Sequence, residues 1–334
     1  MFEKIFIESN LIDHPKVKNI LARFPNTEAQ IINKVEDIFG RVKKPYLQKR
    51  ETLNLFLGEK KGQLVKVAPN AYGVQGEPHY YFAQAYNCIY ECDYCYLQGY
   101  FNSPDIVLFL NHEEIGAEMK RIANSHAPIK TWFHAGEFSD SLALSHLSGE
   151  LDFYFKLFKD VPEAYLELRT KSINIKELLK QSPLPNIITS FSLSPQKRSK
   201  KNDLKTPSTE RRLKAIAELN AKNFPMAIHF DPIIYDENII ELYSELIQNL
   251  SYSIPLEKIR YISLGVVRFT KDVFHQVQVN YPESDLLHHE FIKSFDNKIR
   301  YNRPMRMWIL QKIKELLIFN GMTEDQIYFC MEED

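Results

Sequence analysis

The chain has 334 residues, 44% of them hydrophobic and 25% charged, which suits one large folded domain with appendages and excludes a disordered or fibrous chain. A net charge of −1 excludes a global field that would draw it to nucleic acid, so any such contact has to rest on a local basic patch. No apolar run has the length of a membrane span, MFEKIFIESN lacks a signal-peptide pattern, and three of the four cysteines are clustered rather than spread as a disulfide framework; a reducing, cytoplasmic setting is expected.

Residues 1–78 read as an accessory segment with amphipathic helices, for example over 27–39. Strand-like runs follow over 79–86, 130–134, 164–169, 187–193, 225–230 and 260–267. Between them, helical patterns lie near 112–124, 145–159, 174–180, 208–220 and 237–250. Thr206 is expected to cap the helix near 208, with Pro207 in its first turn. Alternating β and α units predict an α/β fold with a parallel sheet and helices outside, and six such units predict a partial (β/α)6 barrel over 79–284. The tail, 285–334, reads as a helical extension: two helices around a basic turn, then a short strand at 326–330.

The segment NCIYECDYCY places Cys88, Cys92 and Cys95 in the spacing Cys-x3-Cys-x2-Cys. Iron–sulfur clusters are usually held by four cysteines, so three thiolates on a [4Fe–4S] cube leave one iron open to a small molecule. The loop follows directly on the strand at 79–86, which puts it at the C-terminal rim of the sheet, where parallel β/α folds carry their sites. Glu91 and Asp93 inside it read as solvated turn residues. The rival is a structural zinc on the three cysteines and a histidine such as His134, but such sites generally come as paired knuckles and the sequence has no second pair.

The cysteine spacing is that of the radical S-adenosylmethionine (SAM) superfamily, and CDYCYLQ followed by GEFSD resembles the spore photoproduct lyase family. LRTKS, SFSLSP, HFDPI, VVRFTKD and DNKIRYNRPMR are similar to segments of that family in the same order, from about residue 60 onward. The resemblance implies a radical SAM barrel and a [4Fe–4S] cluster on Cys88, Cys92 and Cys95. It also implies reductive cleavage of SAM to a 5′-deoxyadenosyl radical that abstracts hydrogen from DNA or a nucleotide-like lesion. Glu137 would meet the SAM ammonium, Ser139 and Asp140 would lie beside SAM, Lys171 would pair its carboxylate, and Ser192 would bond a polar part of it. Tyr94 and Tyr96 match the family's radical relay. A one-electron donor such as flavodoxin or ferredoxin and a monomeric state are expected. One departure stands out: the family carries a hydrogen-donating cysteine where this chain has Glu137, and a carboxylate cannot do that work. The remaining thiol, Cys330, reads as a buried structural cysteine.

The stretch 196–214 holds eight Lys/Arg, including Lys197, Arg198, Lys200 and Lys201, against Asp203 and Glu210, and its first half is expected as a rim loop able to grip a phosphodiester backbone. A second basic group, Lys298, Arg300, Arg303 and Arg306, carries Tyr301 and Pro304 as a stacking wedge near a splayed base. Either stretch alone reads equally as a solvated charge run. His229, Asp231 and Arg268 fall at strand ends on the same rim. The function expected is a radical SAM, lyase-like enzyme acting on DNA, with UV-photoproduct repair weakened by Glu137. The alternatives are a radical SAM enzyme on a non-nucleic substrate and a non-catalytic, metal-stabilised nucleic-acid-binding module.

Overall fold

Ile5 and Ile7 are buried on one face of a run of alternating residues, which makes the chain begin as a strand, β1 (Phe2–Glu8). In the computed structural model, which describes residues 2–37, 39, 52–69, 72–73, 76–101 and 103–332, β1 leads through a helix at Pro15–Arg23 into the parallel strand β2 (Glu28–Ile32). The next strands are β3 (Leu53–Gly58), β4 (Val65–Val67), β5 (His79–Phe82), β6 (Ala85–Tyr86) and β7 (Ile106–Phe109). A first sheet has the order β2-β1-β3-β7-β6. The helical reading of the N-terminal segment is therefore corrected: 28–37 holds a strand and a 3-10 turn at Val35–Asp37, and residue 38 lies outside the described residues. Sheet pairing overrides the local helical period there. The Glu8 carboxylate fixes the turn by accepting from the backbone N–H of Val35 at 2.9 Å and of Glu59 at 3.0 Å.

The second sheet continues from β5 through β8 (Thr131–Ala135), β9 (Ala164–Thr170), β10 (Ile187–Ser192), β11 (Met226–Ile233) and β12 (Ile259–Val266), all parallel. These six are the strands of the expected partial barrel. β13 (Arg268–Phe269), β14 (Ile292–Lys293) and β15 (Ile299–Arg300) form a small antiparallel sheet, and β16 (Ile327–Phe329) adds in parallel to β12. The order of the large sheet is β16-β12-β11-β10-β9-β8-β5-β4. The expected strand at 79–86 is divided between the two sheets, so the boundary at 78 does not separate them: β6 and β7 belong to the first.

The strands are buried on both faces, as parallel sheets require. Leu166, Leu168, Ile228, Phe230 and Ile262 join the large core under the helices. Trp132, Ile188, Ala227 and Tyr261, with Tyr165 and Tyr328 against them, fill the opposite, inner face. The helix Ile239–Ser253 shows the energetics: Ile239, Tyr243, Leu246, Ile247 and Leu250 are buried on one stripe, and each fully buried aliphatic side chain contributes about 1.5–3 kcal/mol.

Four further helical expectations change. The pattern at 145–159 is two helices, Ser145–Ser148 and Leu151–Asp160, separated at the left-handed Gly149 (φ 59°). That near 174–180 is only a 3-10 turn, Leu178–Lys180. The helix Thr209–Ala221 is capped by Ser208, whose hydroxyl accepts from the Arg211 N–H, while the Thr206 hydroxyl donates to the Asp203 carbonyl at 2.8 Å. In the tail, 285–302 is a 3-10 turn and the β14–β15 hairpin, and one helix follows, Arg303–Phe319, capped by Asn302. Among the described residues no helix is long and apolar enough to cross a membrane.

Candidate active site

The cysteine loop leaves β6 and is fastened at several points. Asn87, in the left-handed region (φ 60°), donates its amide to the carbonyls of Ser103 at 2.6 Å and Asp105 at 2.8 Å. Gln98 donates to the carbonyls of Cys92 at 3.1 Å and Asp93 at 2.9 Å, and accepts from Asn280 at 2.7 Å. The acidic residues of the loop are not solvated, contrary to expectation. Asp93 is 1% exposed and accepts from Asn202 at 2.8 Å and Ser284 at 2.6 Å. Buried Glu91 accepts from the Tyr281 hydroxyl at 3.0 Å and pairs with Lys205 at 2.8 Å. Both carboxylates clamp the loop to segments more than a hundred residues away in sequence.

Cys92 is buried, and Cys88 and Cys95 are half-buried. Burial pushes all three thiols up, Cys92 to about 12, with Lys171 opposing at Cys92 and Cys95. The positive charge of iron would offset such a penalty and deprotonate the thiols. Among the described residues no three His, Cys, Asp or Glu side chains converge on a single ion. His134 is also unavailable as a fourth zinc ligand: its Nε2 lies 2.9 Å from His79 Nδ1, and its Nδ1 contacts Glu167. A donor set of three thiols on one loop fits a four-iron cube in which three irons each take one cysteine sulfur and the fourth stays open.

Across the rim, β8 is followed by Gly136 at φ 89°, where an added Cβ would lie 2.6 Å from Ser141 Oγ and 3.0 Å from the Arg169 carbonyl, so the turn needs glycine. It presents Glu137, whose carboxylate accepts from the Tyr72 hydroxyl at 2.9 Å and whose carbonyl accepts from the Tyr96 hydroxyl. Ser139 is half-buried beside it. Asp140 accepts from the N–H groups of Leu142 at 3.0 Å, Ala143 at 2.8 Å and Lys171 at 2.7 Å, and from the Thr170 hydroxyl at 2.7 Å. Its carboxylate thus ties the end of β8 to the end of β9. Burial pushes its carboxyl up, against those bonds.

Lys171, just past β9, donates to the Tyr94 hydroxyl at 2.7 Å and lies 3.8 Å from Cys92 Sγ and 3.7 Å from Asp203. The Tyr94 hydroxyl also donates to Asp203. Arg212, 0% exposed, holds Asp203 at 2.9 Å, the Thr206 hydroxyl at 2.6 Å and the Ser192 carbonyl at 3.0 Å. Ser192 is buried at the end of β10. The structure therefore gathers the cysteine loop, Tyr94, Tyr96, Glu137, Asp140, Lys171 and Ser192 at one end of the barrel.

Beneath them lies a polar layer that strand patterns hide. Glu167, fully buried on β9, contacts His134 and lies 2.5 Å from His229 Nε2; Arg169 reaches it at 3.4 Å. Burial alone would raise the Glu167 carboxyl, but Arg169, His229 and His134 outweigh it and hold it well below the usual range. On β11 Asp231 takes a two-pronged pair from Arg268, 3.0 Å at each prong, and Arg268 lies 3.7 Å from Cys330 Sγ. Alternating polar residues in a strand signal one wet face; here that face is the inside of the barrel.

The basic residues divide. Lys200 and Arg303 are exposed; Lys197 and Lys201 are exposed and paired, with Asp236 at 2.9 Å and Asp285 at 2.8 Å. Arg198 is buried between Asp285 at 3.1 Å and Asp236 at 3.1 Å. The expected loop here is a helix, Gln196–Asn202. Arg300 and Arg306 are buried against Glu332, at 3.2 and 2.8 Å. Tyr301 is 0% exposed and packs on Phe291, so it offers no stacking surface, and Arg198, Arg300 and Arg306 offer no free face to a phosphate.

The family model described as spore photoproduct lyase matches residues 1–315. The spore photoproduct lyase of Bacillus subtilis (strain 168) is 25% identical over 293 residues, covering 84% of this chain and 83% of the relative. That of Clostridium acetobutylicum is 22% identical over 334 residues, covering 96% and 95%. Among solved structures, a spore photoproduct lyase double mutant with bound AdoMet and dinucleoside spore photoproduct superposes with a TM-score of 0.83 at 19% identity, covering 100% of this chain and 99% of that one. A cysteine mutant of spore photoproduct lyase gives 0.84 at 19% identity, covering 98% and 99%. This likeness in fold, the cysteine loop at the rim of a partial barrel and the match along most of the sequence place the chain in the spore photoproduct lyase family of radical SAM lyases.

Proposed function

We propose that this chain holds a [4Fe–4S] cluster on Cys88, Cys92 and Cys95, cleaves SAM reductively and acts on a pyrimidine lesion in DNA or a related nucleic acid. The observation that carries the reading is the contact of the three-cysteine loop with Glu137, through Tyr96, and with Lys171, at the ends of β8 and β9 with Ser192 at the end of the next strand, in a chain whose similar structures include one with bound AdoMet and dinucleoside spore photoproduct. When bound, cluster and SAM supply a carbon-centred radical that removes a hydrogen atom from the substrate. The chain's own residues orient and shield: Tyr72 and Tyr96 fix Glu137, Lys171 sets a positive charge beside Cys92 and Tyr94, and Asp140 locks two strand ends together. Tyr94 and Tyr96 remain the candidates for carrying a radical. Exposed Lys197, Lys200, Lys201 and Arg303 are the candidates for backbone contact; Arg198, Arg300, Tyr301 and Arg306 hold the fold. A small one-electron carrier such as flavodoxin or ferredoxin, a monomeric state and a cytoplasmic setting complete the reading.

A second reading, the same chemistry on a non-nucleic substrate, is favoured by Glu137, which cannot serve as the family's hydrogen-donating thiol. The experiment is anaerobic reconstitution with iron and sulfide, reduction, and assay for 5′-deoxyadenosine, followed by UV-irradiated thymine-rich DNA scored for restored thymines. Restored thymines support the first reading. SAM cleavage without repair moves the substrate to the second. A brown protein making no 5′-deoxyadenosine, indistinguishable from Cys92→Ala, removes both.

A further inference from the structure

One short segment shows cations to solvent on one side and holds the cysteine loop on the other. Asn202 and Asp203 are buried, while Lys200, Lys201 and Lys205 around them are exposed. On the inner side, the Asn202 carbonyl accepts from the Asp93 N–H at 3.0 Å and the Leu204 carbonyl from the Glu91 N–H at 2.9 Å. Those two bonds bracket Cys92 in the sequence. Asp203 lies 3.7 Å from Lys171, which lies 3.8 Å from Cys92 Sγ. Lys205 itself pairs with Glu91 at 2.8 Å. A single layer of residues thus separates the exposed cations from the buried Cys92 thiol. The cations continue onto Arg211 and Lys214, exposed in the first turns of the helix Thr209–Ala221, which packs against Gln196–Asn202.

Charge and place together select the partner. Lys201, Lys205 and Lys214 each pair with one carboxylate, Asp285 at 2.8 Å, Glu91 at 2.8 Å and Glu210 at 2.7 Å. Lys200 and Arg211 pair with none among the described residues. A duplex backbone takes up a row of free cations, one per phosphate, and this surface is half neutralised. An acidic protein needs only a modest local surplus to be steered and oriented, and the chain's net charge of −1 does not oppose it. The cysteine loop meets the end of β8 through Tyr96 and this surface through Glu91 and Asp93, so the two contacts use different parts of the loop. Substrate chemistry belongs to the first; an electron has to enter at the cluster itself. We propose that Lys200, Lys201, Lys205, Arg211 and Lys214 form the docking surface for an acidic one-electron carrier protein. The carrier is oxidised by one electron and the cluster reduced by one, and no proton or group moves between the proteins. This rests on the cluster reading of the three cysteines above and names the face through which the cluster is reduced. Lys200 and Lys201 are also candidates for backbone contact, so duplex DNA is the rival occupant.

The test is the affinity of the cluster-loaded full chain for an acidic flavodoxin, an acidic ferredoxin and duplex DNA, each at low and high salt. Wild type is compared with Lys200→Glu, Arg211→Glu and the double variant Arg211→Glu/Lys214→Glu, with iron content and circular dichroism measured on each. Formation of 5′-deoxyadenosine is driven once by dithionite, which needs no docking, and once by the reduced carrier. At low salt each single reversal should weaken carrier binding about 3- to 10-fold and the double about 10- to 100-fold. The differences should close at high salt. Arg211→Glu and the double variant should keep wild-type iron content and dithionite-driven product, while carrier-driven product falls with affinity. If the double variant does not fold, the single reversals carry the test. Unchanged carrier affinity in the folded variants overturns the docking surface, and so does a wild type that binds neither carrier. Variants that lose DNA affinity but keep carrier affinity assign the cations to a phosphate backbone and overturn it as well. Loss of dithionite-driven product in Arg211→Glu also overturns it, since Arg211 then acts on the cluster site itself. A wild type that makes no 5′-deoxyadenosine with dithionite, yet binds the carrier through these cations, leaves the surface standing and removes the SAM-cleavage reading.

Discussion

The Lys171 ammonium lies 2.7 Å from the Tyr94 hydroxyl and 4.7 Å from the centre of the same ring, so one lysine both bonds and covers a single tyrosine. Burial alone would pull its pKa down, but Cys92 and Asp203 outweigh that and raise it. The charge is thus an integral part of the packing beneath the cysteine loop. Lys171→Met removes a charge-assisted bond while keeping the stem, and should cost about 1.5–3 kcal/mol of stability in urea melts of the iron-free chain. An unchanged melt would mean that Lys171 serves a ligand alone.

Arg212 should be the more damaging loss. It is 0% exposed and donates to Asp203, Thr206, the Ser192 carbonyl and the Pro207 carbonyl, all within 3.0 Å. Arg212→Met leaves the Asp203 carboxylate buried with Lys171 as its remaining cation, at 3.7 Å, and should destabilise by about 3–5 kcal/mol. The exposed neighbour Arg211 is the control: Arg211→Met should stay within about 0.5 kcal/mol. Equal effects would mean that Arg212 reaches water.

That pair of arginines shows what can and cannot be read from the chain. Arg211 and Arg212 sit in one basic run, and charge density alone makes both look solvated; only the fold turns one inward. The six barrel strands were legible because short apolar-rich runs alternate with helical patterns along the chain. The N-terminal sheet was not, because β1 pairs with residues about fifty positions away, Ile5 with Leu55, and β3 with residues about fifty further on, Leu55 with Ile106. A local period carries no information about such pairing. The cysteine spacing pointed directly at the loop proposed to hold the cluster. Its clamps, Glu91 and Asp93, looked like turn residues because their partners lie at Tyr281, Asn202 and Ser284. Glu167 and Arg169 were missed for a related reason: polar residues at alternate strand positions ordinarily face water.

Cys330 should be chemically quiet. It is 3% exposed, its N–H donates to the Leu264 carbonyl at 2.8 Å, and burial pushes the thiol up to about 12, with Asp231 adding to the effect and Arg268 opposing it. The thiolate is the reactive form. In the folded chain at mildly alkaline pH, iodoacetamide should leave Cys330 unlabelled while free glutathione is consumed, and denaturant should expose it. Rapid labelling in the native state, followed by peptide mass, would show an open path to the sulfur.

Glu150 supplies a pH dependence. It is 1% exposed; the Ser148 hydroxyl donates to one oxygen, and the other has no partner among the described residues. Burial raises its carboxyl from 4.5 to about 7, against the Ser148 bond and the charge of Lys16. The unfolded chain releases this proton near 4.5 and the folded chain near 7, so the folded state binds the extra proton between those values. Stability from this group is therefore complete below about 4.5 and is lost as the pH rises to about 7. The rise from 4.5 to about 7 corresponds to about 3 kcal/mol. Glu150→Gln cannot ionise and should escape the loss: its stability relative to wild type, from urea melts, should grow by about 3 kcal/mol over that interval and stay level at higher pH. His112 is close by and 0% exposed, and burial lowers it to about 3, which weakens the fold on acidification. That contribution is common to both proteins and cancels in the difference, so a flat difference would mean that the Glu150 carboxylate is solvated after all.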